Sequence, residues 1–187
     1  QRFEETRRKL ELIKSAILGD DSVDSNGQRN RFGYHGDMGR LPGALARLTS
    51  QGSDPTWSFD TMYAIGVGWR GSYLSTEISG GIAIDKDSWN RAFVYSTGGD
   101  ATITSYGADG AAGGSGYSSD ITVVLPTSSR YATVAGVVAD GDVRADSATV
   151  TIAFASNGGI GTSSTAATAI GGFSFSGVPY GLTSLLA

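Results

Sequence analysis

A glycine-rich segment at residues 105–121 constrains the fold of this chain more than any other stretch, because it cannot form a regular helix or strand. It reads Ser-Tyr-Gly-Ala-Asp-Gly-Ala-Ala-Gly-Gly-Ser-Gly-Tyr-Ser-Ser-Asp-Ile. Glycine lets the backbone curl its carbonyl groups inward, and the segment adds hydroxyls and the carboxylates of Asp109 and Asp120. Since calcium takes about six to eight oxygen ligands in flexible geometry, the segment predicts a calcium-binding loop with the two aspartates as charged ligands.

A solvated surface connection is the other interpretation of this segment. Glycine, serine and aspartate are the usual residues of turns and long loops. The spacing between Asp109 and Asp120 also differs from that of the EF-hand calcium loop. The residues before the segment favour the metal-binding interpretation.

Several earlier segments precede the glycine-rich loop in a characteristic order. An Arg-Gly-Ser-Tyr-Leu segment is followed by an aspartate, a tryptophan and an aromatic strand, and then by the Gly-Ala-Asp-Gly-x-x-Gly-Gly-x-Gly pattern. This order resembles the major pseudopilins of bacterial type II secretion over roughly residues 1–125. The Gly-Ala-Asp-Gly pattern is the specific part of the resemblance. The corresponding segments are residues 33–42, 70–74, 87–95 and 105–121.

The resemblance implies a set of calcium ligands. Carried over to this chain, the set contains the backbone carbonyl of Tyr106, the side chains of Asp109 and Asp120, and hydroxyls or carbonyls around Ser115 and Ser118. Two carboxylates imply a moderate affinity that suits an extracytoplasmic calcium level. The implied role of the ion is structural.

The chain departs from the pseudopilin pattern at several positions. Ser88 and Asn90 stand where the family has a proline and a glycine around the tryptophan, and Phe93 replaces a tyrosine. We therefore expect the turn at this place to differ. The chain also continues beyond the length of a major pseudopilin, which indicates a relative with an additional part.

The first residues predict a truncated pilin helix. Leu10, Ile13 and Ile17 recur at helical spacing, and Gly19 is a typical helix stop. A second helix is predicted over residues 42–49. The resemblance implies that residue 1 lies downstream of a removed hydrophobic segment, and that membrane anchoring occurs only through that segment.

The remaining sequence predicts β structure. Strands near residues 62–66, 91–96 and 101–105 are expected to form an antiparallel sheet under the first helix. Residues 127–129 are interpreted as a linker, and apolar alternation at Val150, Ile152 and Phe154 predicts strands with one buried face. A Ser/Thr/Ala/Gly-rich loop is expected at residues 156–169. This tail resembles carboxypeptidase-regulatory-like β-sandwich modules.

Composition argues against catalysis and against nucleic acid as a partner. The chain has no cysteine, one histidine and a formal net charge of −4. That histidine, His35, lies in a glycine-rich region that we interpret as a turn, and no Gly-x-Ser-x-Gly nucleophile motif is present. Residues 66–71 match Gly-x-Gly-x-x-Gly, but no predicted helix follows them, so dinucleotide binding is not expected. We expect a non-enzymatic protein.

These observations predict an α+β fold in three parts. A truncated pilin helix at residues 1–18 packs on a small antiparallel sheet in a globular head at residues 19–126, which carries the calcium loop. A small all-β sandwich-like module follows at residues 127–187. The expected function is that of a structural subunit of a pseudopilus or type IV pilus-like filament.

The resemblance also implies partners and a location. Expected partners are other pilin-like subunits and the inner-membrane assembly machinery, and the expected place is the bacterial cell envelope, with an inner-membrane precursor and a periplasmic or surface filament. Two alternatives remain at this point: a minor type IV pilin used in adhesion, and a calcium-stabilised extracellular module that binds carbohydrate or protein.

Overall fold

The computed structural model describes residues 1–25, 28–74, 83–141, 143–146 and 148–187. Its first element is helix α1 (Arg2–Leu18), in which Leu10, Ile13 and Ile17 are fully buried on one face. Gly19 follows the helix with a φ of 82°, and its N–H donates to a carbonyl of the last turn. The predicted helix is confirmed. Among the described residues, no helix is long and apolar enough to cross a membrane.

Strands make up most of the remaining regular structure, and the named strands pair antiparallel. In chain order, the strands of the described ranges are β1 Asp20–Ser25, β2 Gln28–Arg31, β3 Ser58–Asp60, β4 Ile65–Val67, β5 Val94–Ser96, β6 Ala101–Ser105, β7 Ile121–Leu125, β8 Tyr131–Val137, β9 Ala139–Asp140, β10 Val143–Arg144, β11 Thr149–Ser156, β12 Gly159–Ala166, β13 Gly172–Pro179 and β14 Thr183–Leu186.

The globular head (residues 19–126) is built around the sheet β5-β6-β7. Alternate residues of β6 and β7 are buried, including Ile103, Val123 and Leu125, and they share one core cluster with the apolar face of α1. Helix α1 therefore rests on this sheet, as predicted. The strands expected near residues 91–96 and 101–105 are β5 and β6. The strand expected near 62–66 is β4, but its predicted place in this sheet is wrong, because β4 pairs with β3 in a separate two-stranded sheet.

A short helix, α2 (Gly33–Met38), occupies the region that we interpreted as a turn. That interpretation is wrong because Tyr34, His35 and Met38 are buried, and their tertiary packing stabilises a helix that composition alone disfavours. The helix expected over residues 42–49 is reduced to a 3₁₀ turn at Leu45–Leu48.

In the described part of the C-terminal module (residues 127–187), β9 and β10 form a small hairpin, and two larger antiparallel sheets share an apolar core. One sheet pairs β8 with β13, and the other has the order β12-β11-β14. Val150 and Ile152 of β11 lie in one buried cluster with Phe175 and Val178 of β13. This arrangement is consistent with the small sandwich-like module that the alternation predicts.

The segment at residues 156–169 is not the loop that its composition predicts. Most of it forms β12, which pairs with β11 in continuous register from Thr149↔Ala166 to Ser156↔Gly159. Few of its side chains are buried, so no apolar alternation marks it in the sequence. Backbone pairing with the buried β11 makes it a strand, despite two glycines and an alanine, which are depleted in strands.

The C-terminal module packs directly against the globular head. Ala153 and Ala155 of β11 share a buried cluster with Ile65 of β4. At the end of the same strand, the N–H of Gly158 donates to the carbonyl of Met38 in α2 at 2.7 Å. Strand β11 is therefore covered by the head on one side and by β13 on the other.

Candidate metal-binding loop

The glycine-rich loop (residues 105–121) connects β6 to β7. Ser105↔Ile121 is the last pair of this hairpin, so residues 106–120 leave the sheet and return to it. Five of its glycines have φ between 59° and 97°, where residues with a Cβ are strained. The path of the loop therefore depends on its glycine content. These residues are Gly107, Gly110, Gly113, Gly114 and Gly116.

The first leg of the loop (residues 105–110) forms a single turn. The N–H of Gly110 donates to the carbonyl of Tyr106 at 3.2 Å, and the N–H of Gly107 donates to the hydroxyl of Ser105 at 3.3 Å. Asp109 is exposed at the end of this turn, and its Oδ1 accepts the N–H of Ala111 at 3.1 Å. The carboxylate of Asp109 thus holds the residue that follows the first leg and stays exposed to solvent.

The second leg (residues 113–120) is closed by a pair of hydrogen bonds between its ends. The N–H of Asp120 donates to the carbonyl of Gly113 at 3.2 Å, and the N–H of Gly113 donates to Oδ2 of Asp120 at 3.0 Å. Between them, the carbonyl of Ser115 accepts the N–H of Ser118 at 3.1 Å at a short 3₁₀ turn. Asp120 therefore joins the two ends of its leg, whereas Asp109 binds only an amide two residues ahead of it.

Close backbone approaches bring the two legs together. The N–H of Ala108 donates to the carbonyl of Tyr117 at 2.9 Å. A Cβ on Gly107 would lie 2.9 Å from the carbonyl oxygen of Ser118, and a Cβ on Gly114 would clash with the same oxygen. The carbonyl of Ser118 is therefore enclosed by two glycines, and a larger residue at either position would displace it.

The oxygen atoms of the loop fit calcium by type. Among the described residues, no group of three or more His, Cys, Asp or Glu side chains is placed to hold a metal. An ion at this loop must therefore use backbone and hydroxyl oxygens beside two carboxylates, which suits calcium and differs from the Cys and His donors of zinc sites. The structure places Ser118 against the first leg, whereas Asp109 binds the amide of Ala111 just after the first leg and Asp120 binds the amide of Gly113 in the second.

Asp87 holds the base of the loop from a neighbouring turn. Its side chain is only 1% exposed. Oδ1 accepts the N–H groups of Trp89 and Arg91 at 2.9 Å each, and Oδ2 accepts the hydroxyl of Ser105 at 2.7 Å. Because the hydroxyl of Ser105 in turn accepts an N–H of the first leg, the carboxylate connects the turn to the loop. This role of Asp87 is not evident from the sequence alone, although an aspartate before a polar turn is a common sign of such capping.

The turn at residues 87–91 contains a left-handed residue, Asn90, with a φ of 65°. Asparagine adopts this conformation more readily than most residues, so it serves where a glycine would otherwise be expected. Helix α1 supports the preceding residues, because Nζ of Lys9 donates to the carbonyls of Ala83 and Lys86 at 2.6 Å each. Burial lowers the pKa of Lys9. The turn is thus fixed by its own conformation and by the helix.

The second leg also contacts helix α1 directly. The ring of Tyr117 lies edge-on against the ring of Phe3, with centroids 6.2 Å apart. These two rings, together with Glu5, Trp89 and Ala108, line a groove beside the first turn of the helix. The loop is therefore in contact with the sheet through its ends and with the helix through Tyr117.

Comparison with known proteins supplies one match. Residues 32–124 match the family model described as type II secretion system (T2SS), protein G. The matched range contains α2, the sheet β5-β6-β7 except the last residue of β7, and the whole connection between β6 and β7. No curated protein and no solved structure matches the chain.

Proposed function

Since this chain belongs, through residues 32–124, to the family of type II secretion system protein G, we propose that it is a filament-forming subunit of a pseudopilus in which calcium stabilises the glycine-rich loop. The family consists of pseudopilins, structural proteins of the cell envelope. The family match is the observation that carries the filament role. The metal site, the filament type and the role of the C-terminal module are our proposals.

The need for an ion follows from what the loop lacks. Residues 109–117 are all exposed, so the central part of the loop buries no apolar side chain. Fixing a residue costs about 1–2 kcal/mol of conformational entropy, and the few hydrogen bonds of the loop offset only part of that cost. An ion that binds only the folded loop supplies the missing stabilisation by mass action.

Five residues are proposed to surround this ion. Asp109 and Asp120 supply charge, and the carbonyl of Tyr106 with oxygens of Ser115 and Ser118 completes the set. Support comes from the enclosed carbonyl of Ser118 and from the exposed position of both carboxylates. Calcium would supply positive charge that joins the two legs, which otherwise meet only through backbone contacts in the described structure.

The contact between the loop and helix α1 suggests how the ion affects assembly. Tyr117 packs on Phe3, and α1 is the element through which the resemblance to pilins implies subunit packing. An unanchored second leg would release Tyr117 and expose Phe3, which loosens the first turn of the helix. Loss of calcium is therefore expected to reduce stability and filament assembly together.

Filament assembly tests this proposal. The chain, joined to the hydrophobic helix of a known pseudopilin and expressed with a type II secretion assembly machinery, is compared with Asp109→Ala, Asp120→Ala and the control Asp85→Ala, which changes an exposed aspartate outside the loop. We expect the two loop variants to lose filaments visible by electron microscopy and the control to keep them. Normal filaments from a fully stable Asp109→Ala protein would contradict the calcium role, and no filaments from any variant or wild type would contradict the filament role.

An exposed aromatic surface favours a second candidate function, the binding of an extracellular carbohydrate or protein. Phe59 of β3 is 55% exposed, and Trp57, which precedes this strand, is 38% exposed. The guanidinium of Arg70 lies 5.9 Å from the Trp57 ring centroid. Such rings are typical of ligand contacts. Glycan and protein binding screens on wild type and Trp57→Ala separate the candidates, because a pure filament subunit should bind no ligand in either form.

A further inference from the structure

The side chain of Arg91 lies across the first leg of the glycine-rich loop. Its Nη1 donates to the carbonyl of Gly107 at 2.8 Å. A Cβ built on Gly110 would lie only 2.9 Å from Cζ and Nε of the same guanidinium. The flat group therefore contacts both Gly107 and Gly110, which lie in the same turn as Asp109.

The turn from which Arg91 extends is itself fixed. The N–H of Arg91 donates to Oδ1 of Asp87 at 2.9 Å, and its carbonyl accepts the N–H of Asp87 at 2.8 Å. The same carboxylate binds the hydroxyl of Ser105. Together with the bond between Gly107 and Ser105, these contacts form a hydrogen-bond network that links Asp87, Arg91, Gly107 and Ser105. The network consists of protein groups alone.

We propose that Arg91 is a positioning residue that shapes the first leg before calcium binds and thereby sets the calcium affinity of the loop. This inference rests on the proposed calcium site. A ligand set that is already ordered costs less conformational entropy when the ion binds, so its affinity is higher. In this view calcium orders mainly the second leg, because the first leg is held by protein groups.

Geometry rather than charge is the basis of this effect. Arg91 is exposed, so solvent screens its charge, and a second cation near the site would by itself weaken calcium binding. A lysine keeps the charge but offers a point donor instead of a flat group that can lie on Gly110 while it binds Gly107. Arg91→Lys therefore separates the two explanations.

Calcium titration by calorimetry tests the inference on wild type, Arg91→Ala, Arg91→Lys and the control Arg144→Ala, whose side chain lies on β10 of the C-terminal module. We expect the dissociation constant to rise about tenfold in Arg91→Ala and nearly as much in Arg91→Lys, in line with the loss of a hydrogen bond and its packing. Arg144→Ala should bind as wild type. Equal binding by all four proteins, or tighter binding by Arg91→Ala, overturns the inference.

A second readout needs no metal. The ¹⁵N heteronuclear NOE of Gly107 and Gly110, measured in chelator, reports the rigidity of the first leg on the fast timescale. It should be high in wild type and in Arg144→Ala and fall in both Arg91 variants. A wild type that binds no calcium overturns the proposed metal site. In that case the NOE decides alone: a fall in the Arg91 variants supports the shaping of the leg, and no change overturns it.

Discussion

Acidification from about pH 7 to about pH 5 is expected to destabilise this protein by about 2 kcal/mol through His35 alone. His35 is 1% exposed in α2, and its ring lies edge-on against Tyr131 of β8 with centroids 5.1 Å apart. Arg130 lies beside the same tyrosine, 5.6 Å from its ring centroid. The histidine therefore lies between the globular head and the C-terminal module, next to a fixed positive charge.

The magnitude follows from the pKa of His35. Burial, and secondly the charge of Arg130, lower this pKa from 6.5 to about 4. The unfolded chain therefore binds more protons than the folded chain between these values, so stability is complete above pH 6.5 and falls as the pH decreases through the window. The lowered pKa of His35 contributes about 3 kcal/mol to the free energy of unfolding at high pH, and about two thirds of this contribution is lost by about pH 5. The Nε2 atom is buried without a hydrogen-bond partner in the described structure, so no bond compensates for the added charge.

Two assays check this prediction. Because the chain has one histidine, its imidazole proton resonances can be followed by NMR without assignment, and they should not titrate between about pH 7 and 5 in the folded protein. Urea denaturation should show the stability loss in wild type but not in His35→Phe, which keeps a ring and cannot be protonated. Burial raises the pKa of Asp37, so acidification stabilises the fold through this group. Because Asp37 is present in both proteins, its effect cancels in the comparison. An imidazole that titrates near its ordinary pKa, or an equal loss in His35→Phe, refutes the reasoning.

Other packing predictions can be measured by urea denaturation at neutral pH. Asp87→Asn should cost about 1–3 kcal/mol because the buried carboxylate accepts three hydrogen bonds, whereas Asp85→Asn at an exposed site should change stability by less than about 0.5 kcal/mol; equal effects would contradict the role of Asp87. Ala153→Leu should cost about 1–3 kcal/mol by overpacking the contact between head and module, and Ala166→Leu at an exposed position should cost little. Ile152→Ala should cost about 2–5 kcal/mol, and a loss below about 1 kcal/mol would mean that the module core is loose.

Helix α1 and the main strands could be predicted from sequence because their buried residues recur with the period of the element. Leu10, Ile13 and Ile17 mark the helix, and Val150 and Ile152 mark β11. Strand β12 could not be predicted because its serines, threonines and glycines carry no alternation, and it exists through pairing with β11. Helix α2 was not predicted for a similar reason: a helix this short is not stable by itself and depends on the burial of its side chains.

In the glycine-rich loop too, some features can be predicted from the sequence and others depend on the fold. Its glycines and the positions of Asp109 and Asp120 are readable from sequence, because left-handed turns and oxygen ligands demand particular residue types. The roles of Asp87 and Arg91 are not, because their partners Ser105 and Gly107 lie in another segment, and only the fold brings the segments together. The order of segments in the sequence singled out residues 87–95, but only the folded structure shows that Asp87 connects this turn to the glycine-rich loop.

A thermal unfolding series with calcium, magnesium or chelator tests the central claim most directly. At a calcium concentration of about 100 times the dissociation constant, binding adds about 2.7 kcal/mol, which corresponds to a rise of about 5–10 °C in Tm for a chain of this size. We predict this rise in wild type and in Asp85→Ala, little effect of magnesium, and no rise in Asp109→Ala or Asp120→Ala. An unchanged wild-type Tm, or an equal rise in both loop variants, would contradict calcium binding by the glycine-rich loop.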